Sequence, residues 1–305
     1  MIEVMKVYLD YQLWDYINKN DNVKKFFQLQ KEEKEWRYFI SVAHLEEIYR
    51  ARKYENIDKA GMTDSLEMTI RSMSEDGVIK PTEQGVKYIY RSYEKIYQDI
   101  VTYDTIDIVR DRSLIRKQMD KSAYNPQNLF EGVTHKIEDE YKIVWETERV
   151  KQEVAKLSDI SKKIKEELSL PNNSLVIALN NMYGKVEAKK QLERMLSSSD
   201  VEIKPAIYQN IQDDYGKLEY VIEQLYFVLT KCGFKRDGSD KHSNSGTYDI
   251  QHSICATLCD IFITNDNRFA DKFMAVAYFL GIPIEILYLI FDYPHKHYTF
   301  KYFEV

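Results

Sequence analysis

Four acidic residues sit where an α/β chain gathers groups that do chemistry: Asp10 after a short apolar run, Glu47 in the helix after a second run, Asp249 near a helix start, and Asp266 after a third run. In an open parallel sheet, ligands collect in the crevice beyond the carboxyl ends of the strands, so acids distant in the chain can meet there. Crowded carboxylates repel, and they are tolerated with raised pKa values or with a cation between them. Mg²⁺ or Mn²⁺ suits a carboxylate-and-water ligand set, whereas zinc favours His and Cys. Glu46 competes with Glu47; the spacing from Ser41 favours Glu47, because Glu46 then faces another side of the helix.

These acids need strands and helices to position them. Residues 4–9 are short, β-branched and apolar, the pattern of a buried strand that ends at Asp10, and a helix follows through Trp14 and Ile17. Residues 37–42 predict a second strand, and Ser41 is placed to cap a helix over about residues 42–52. Near the other end, residues 261–264 predict a strand leading to Asp266, then a helix over 268–280 and a strand over 283–289. Thr247 reads as the cap of a helix with Asp249 in its first turn and Ile250, Ile254 and Leu258 as its buried stripe. Asp260, just before a strand, reads as a structural turn residue.

From about residue 55 to 233 the pattern changes to apolar residues three and four apart, as in Tyr88, Ile89, Tyr93, Ile96, Tyr97 and Ile100, and strand signals are not seen. Helices are expected over 65–73, 82–106, 136–168, 174–197 and 206–231. The polar, turn-rich run 235–246 marks the boundary back to α/β pattern.

Composition narrows the class. The 305 residues carry a formal charge of −6, which excludes a generally basic surface that would hold nucleic acid non-specifically. Gly and Pro are scarce, 10 and 6 residues, which excludes all-β architectures and favours long helices. Cys232, Cys255 and Cys259 lack the dense spacing of a secreted disulfide scaffold. The N-terminus lacks the pattern of an export signal, and the longest apolar stretch, 282–291, carries Glu285 and is about half a membrane span. A cytoplasmic protein with no membrane partner is expected.

The sequence resembles the PIN-domain metal-dependent ribonucleases. Val7-Tyr8-Leu9-Asp10 looks like the family's first strand and first acid, and Ile40-Ser41-Val42-Ala43-His44-Leu45-Glu46-Glu47-Ile48 like its second strand, cap and helix glutamate. Tyr248-Asp249-Ile250-Gln251-His252-Ser253-Ile254-Cys255-Ala256 resembles the helix bearing the third acid. Cys259-Asp260-Ile261-Phe262-Ile263-Thr264-Asn265-Asp266-Asn267-Arg268-Phe269 resembles its strand, Thr-x-Asp and following Arg-Phe. Tyr11 and Gln12 depart from the small hydroxyl residue and Asn common beside the first acid.

The resemblance implies a three-layer α/β PIN-like domain with a central parallel sheet, built from residues 1–54 and 236–305 and interrupted by a large all-α insertion over 55–235. It implies endonucleolytic cleavage of RNA, less so of DNA, with Mg²⁺ or Mn²⁺. Asp10, Asp249 and Asp266 would be metal ligands, Glu47 a second-site ligand or water-orienting base, and Thr264 and Asn265 supports of the Asp266 loop. Arg268 could hold a substrate phosphate through two parallel hydrogen bonds, and the basic group Lys235, Arg236 and Lys241 could hold the phosphate backbone if its loop folds over the acids. The insertion would supply substrate choice, homo-oligomer contacts or the docking of an inhibitory or regulatory protein, and the resemblance allows a toxin or defence role. The competing expectation is a catalytically silent PIN-like scaffold that acts as a protein-interaction module.

Other residues have plainer readings. His44 and His252 read as packed, hydrogen-bonded histidines, although His252, one turn after Asp249, could touch the site. His252, Cys255 and Cys259 lie at one-turn spacing, but a fourth zinc ligand is not evident and core packing is the expectation. The tyrosines at 88, 90, 93 and 97 read as helix-seam packing rather than base-stacking groups.

Overall fold

The computed structural model describes residues 4–54, 61–103, 155, 162–163, 165–199, 208–231, 234–235, 243–292 and 297–303. It begins β1 (Met5–Leu9), α1 (Tyr11–Lys19), α2 (Asp21–Glu33), β2 (Trp36–Phe39), α3 (Val42–Lys53) and α4 (Met62–Met73). A hairpin of β3 (Gly77–Thr82) and β4 (Gly85–Tyr90) precedes α5 (Tyr93–Tyr103). Then come α6 (Ser174–Ser199), α7 (Tyr208–Ile211), α8 (Tyr215–Lys231) and α9 (Ser243–Ala256), followed by β5 (Ile261–Thr264), α10 (Asn267–Leu280), β6 (Glu285–Asp292) and β7 (His297–Phe303).

One sheet has the order β2-β1-β5-β6-β7. Its first four strands run parallel, and β7 adds antiparallel to β6. The molecule is thus a mixed α/β fold with a four-stranded parallel core and many helices. Side chains alternate along each strand between two apolar clusters. Tyr8, Phe262 and Ile286 point into one cluster with α8, α9 and α10. Val7, Leu9, Ile261, Ile263, Leu287 and Leu289 point into the other with α1, α3, α4 and α5. Both faces of the sheet are therefore covered by helices, as a parallel sheet requires.

Local chemistry explains the element ends. Ser41 caps α3 by accepting from the Ala43 amide at 3.2 Å, and His44 completes the box by accepting from the Ser41 amide at 3.1 Å. Asp266 caps α10, its Oδ1 accepting from the amides of Arg268 (2.8 Å) and Phe269 (3.1 Å). The same helix stops at Gly281, whose φ of 68° lies in the left-handed region that glycine adopts without strain.

Two sequence expectations are corrected. The segment over 55–235 is not all helical: its β3–β4 hairpin occupies the first part of the helix expected over 82–106, which begins only at Tyr93. Val86, Tyr88 and Tyr90 alternate at period two, and the helical spacing read across Tyr88 and Ile89 mixed strand residues with those of α5. Gly85 makes the turn possible, with φ +84° and the Gln212 carbonyl oxygen only 2.0 Å from where a Cβ would stand. The second correction concerns α9, which starts at Ser243, so Thr247 and Asp249 lie within it rather than at its cap and first turn. Ser243-Asn244-Ser245 has turn composition but is carried into the helix. The expected helix over 136–168 lies mostly outside the described residues.

Residues from the central segment are built into both clusters: Leu66, Ile70, Tyr93 and Ile96 join one, and Val221, Ile222, Leu225 and Leu229 the other. The hairpin also sits beside β2, where the amides of Glu75 and Ile79 donate to the carbonyls of Tyr38 (2.8 Å) and Ile40 (2.7 Å). Among the described residues no helix is long and apolar enough to cross a membrane.

Candidate functional site

The chain leaves β1 toward β2 on one side, and β5 lies on the other, so the sheet's topological switch falls between β1 and β5. A ligand crevice is expected beyond the carboxyl ends of those two strands. Asp10 follows β1 there, and Thr264 ends β5 there. The Asp10 amide donates to the Ile263 carbonyl at 2.9 Å, which extends the ladder and locks the two strand ends together.

Thr264 Oγ1 donates to Asp10 Oδ2 at 2.8 Å and accepts from the Asp266 amide at 3.0 Å. A single fully buried hydroxyl thereby fixes Asp10 and the loop that carries Asp266. Burial pushes the Asp10 carboxyl up to about 6; the His252 ring and the Thr264 hydrogen bond pull it down, and the charges of Glu47 and Asp266 push it further up. Glu47 and Asp266 are thus near enough for their charges to disfavour the ionised form of Asp10.

Glu47 lies on the face of α3 turned to α9. It is buried, and its Oε2 meets His252 Nε2 at 2.8 Å while its Oε1 stands 3.5 Å from Arg50. Glu46 is more exposed than Glu47, and its charge acts on Tyr248 and Cys255 of α9. Behind Glu47, His252 Nδ1 is 2.7 Å from the Tyr8 hydroxyl, which is 2.5 Å from Ser41 Oγ. His44 packs against His252 with ring centroids 4.7 Å apart. Its Nδ1 accepts from the Ser41 amide, so the ring's hydrogen sits on Nε2 and donates to the Leu9 carbonyl at 2.7 Å. Burial, with the neighbouring His252 ring adding to it, holds His44 well below the usual histidine range, so it is a neutral structural group.

Asp249 is half-buried on α9, one turn before His252. Its carbonyl accepts from Ser253 Oγ at 2.8 Å, and its charge adds to the upward push that burial gives the Tyr226 hydroxyl. Thr264 links Asp10 to Asp266, and Asp10 feels the charges of Asp266 and Glu47, whereas the charge of Asp249 acts on Tyr226 of α8. Among the described residues no three His, Cys, Asp or Glu side chains stand together as a metal-holding group. Oxygen donors of this kind suit a hard divalent cation: Asp10 and Asp266 each spend one oxygen, on Thr264 and on the α10 cap, and keep a second, whereas both Glu47 oxygens already face partners, His252 and Arg50.

The remaining predicted residues fall as follows. The Asn265 side-chain oxygen is buried beside the site without a hydrogen-bond partner. Arg268 is exposed in the first turn of α10. Lys235 Nζ pairs with the buried Asp271 at 2.8 Å, and Tyr288 is raised by burial and by the charges of both Asp266 and Asp271, so that ion pair lies close to the Asp266 loop. Arg236 and Lys241 lie outside the described residues. Cys255 and Cys259 are buried free thiols, and burial pushes Cys255 up to about 12, as core packing implies.

Two groups were missed at the sequence level. Arg50, one turn after Glu47, pairs with it and lies 4.5 Å over the Tyr248 ring; an arginine three residues after an acid is a weak but present signal. Tyr8, hidden among strand aliphatics, is fully buried, and its position two residues before Asp10 puts both on one face of the sheet. No family model, no curated protein and no solved structure matches the chain.

Proposed function

We propose that this chain is a PIN-like, metal-dependent endonuclease that hydrolyses phosphodiester bonds, in RNA rather than DNA. The observation that carries the reading is the tie of Asp10 to the Asp266 loop through Thr264 at the β1/β5 switch point, within reach of the Glu47 charge. Asp10, Asp266 and, after a modest reorientation, Asp249 would hold Mg²⁺ or Mn²⁺, with Glu47 at a second site or orienting water. Such an ion, when bound, supplies a water of lowered pKa and offsets charge on the leaving oxygen. Glu47, held by His252 and Arg50, is set to take a proton from the attacking water or to fix its direction. Arg268 and Arg50 offer guanidinium groups for phosphate, which the acids alone would repel.

The test is incubation of the purified chain with total RNA and Mn²⁺, with and without chelator, and mapping of the cut ends. Chelator-sensitive cuts absent from Asp266→Asn support the reading; intact RNA at millimolar metal overturns it. A second reading, a silent PIN-like scaffold that docks a protein partner, is favoured by Tyr11 beside Asp10. Absence of manganese binding in calorimetry would select it.

A further inference from the structure

The buried chain Ser41–Tyr8–His252–Glu47 has a direction that can be worked out atom by atom. His252 Nε2 lies 2.8 Å from a carboxylate oxygen, an acceptor only, so Nε2 must carry a hydrogen. In the neutral ring Nδ1 is then a lone pair, and the Tyr8 hydroxyl at 2.7 Å must donate to it. With its hydrogen so used, Tyr8 accepts from Ser41 Oγ at 2.5 Å. Ser41 Oγ in turn accepts from the Ala43 amide, and the competing acceptor, His44 Nδ1, is farther at 3.2 Å and already takes the Ser41 amide.

We propose that Tyr8 and His252 are positioning residues for Glu47: the Tyr8 hydroxyl, held by Ser41, keeps the His252 hydrogen on Nε2, where it pins Oε2 and leaves Oε1 for Arg50 and an incoming ligand. The fold supports this role. Tyr8 comes from the central strand, Ser41 from the cap of α3 and His252 from α9, so three rigid elements fix one carboxylate. His252 is 1% exposed and Tyr8 is fully buried, so water does not compete for these bonds. A carboxylate that orients water must be held in direction, and a buried histidine does so without the rotamer freedom of a longer donor.

The hydrogen-bond assignment stands by itself, and its consequence for cleavage rests on the nuclease reading; the experiment separates the two. Ring-¹⁵N-labelled histidine is incorporated, and the His252 signals are assigned by their loss in His252→Gln. In metal-free wild type at neutral pH, His252 is expected to show a pyrrole-type Nε2 and a pyridine-type Nδ1; in Tyr8→Phe the Nδ1 signal shifts as it loses its donor. A protonated Nδ1 in wild type, or a spectrum unchanged in Tyr8→Phe, overturns the proposal. For cleavage, His252→Asn keeps an acceptor for Tyr8 but falls short of Glu47, whereas the amide of His252→Gln reaches it as Nε2 does. The expected result is a kcat about 10–100-fold lower for Asn at nearly constant KM, with most of that loss restored by Gln. Equal loss in both overturns the positioning role. Wild-type protein with the expected ring spectrum but no cleavage upholds the hydrogen-bond chain and sinks the nuclease reading instead.

Discussion

Thr264 Oγ1 and Asp10 Oδ2, 254 residues apart in the chain, are joined by a 2.8 Å hydrogen bond at the ends of neighbouring parallel strands. Replacing Thr264 with Val keeps the shape and removes the hydroxyl, which leaves the buried Asp10 oxygen and the Asp266 amide without their partner. A loss of about 1–3 kcal/mol is expected in urea unfolding, and Thr264→Ser should recover most of it. Equal stability of Val and wild type would show that the bond is inconsequential.

Asp10 should cost stability when it is charged. Its carboxyl is raised from 3.8 to about 6 in the fold, so the folded state binds the proton more tightly than the unfolded chain. The penalty is absent below the unfolded value, grows as pH rises between the two values, and is complete above the folded one. Asp10→Asn is therefore expected to be more stable than wild type at pH 7.5 in chelator, by up to about 3 kcal/mol, with the gap closed near pH 4. A gap independent of pH would count against the raised carboxyl.

Manganese should reverse that sign. A cation among Asp10, Glu47 and Asp266 removes their mutual repulsion, so wild type should gain about 2.7 kcal/mol at a metal concentration 100-fold above Kd. Asp10→Asn should gain much less, as read by the metal-dependent rise in Tm. Parallel rises in the two proteins would place the ion elsewhere.

Asp266→Asn preserves the α10 cap, because an amide oxygen accepts the same two amides that Oδ1 accepts now. Circular dichroism should be unchanged while cleavage falls more than about 100-fold, since a ligand should matter more than its supporting shell. Asp249→Asn should behave alike if its carboxylate turns to the metal, and retained activity there would confine the site to the other three acids.

Arg268 is exposed at the start of α10, within one turn of Asp266. If it holds one phosphate, Arg268→Ala should weaken single-stranded RNA binding uniformly across sequences and reduce the slope of log K against log salt by about 0.7. An unchanged slope would remove Arg268 from the substrate path.

Much of this was legible in the sequence because the signals were local. The β1 and β5 strands are continuous apolar runs, Ser41 sits directly before its helix, and Asp266 follows Thr264 by two residues. What escaped depended on contacts across the fold. The alternation of Val86, Tyr88 and Tyr90 was overlaid by the helical spacing of the next element, and the turn shows in the pairing of Thr82 with Gly85 and the positive φ of Gly85. His252 was read as a packed histidine, which it is, yet its partners Tyr8 and Glu47 lie 244 and 205 residues away and no spacing rule could pair them. Lys235 read as part of a basic loop that could hold phosphate, while its partner Asp271 lies buried among the apolar residues of α10.

The seat of the β3–β4 hairpin beside β2 has a practical corollary for anyone trimming this chain to its sheet. With residues 61–103 deleted, the carbonyls of Tyr38 and Ile40 would lose their covering donors, and a bare strand margin would invite pairing with another molecule. Such a shortened protein should aggregate through its borders rather than persist as a smaller monomer, so excision of the central segment is a poor route to a minimal domain.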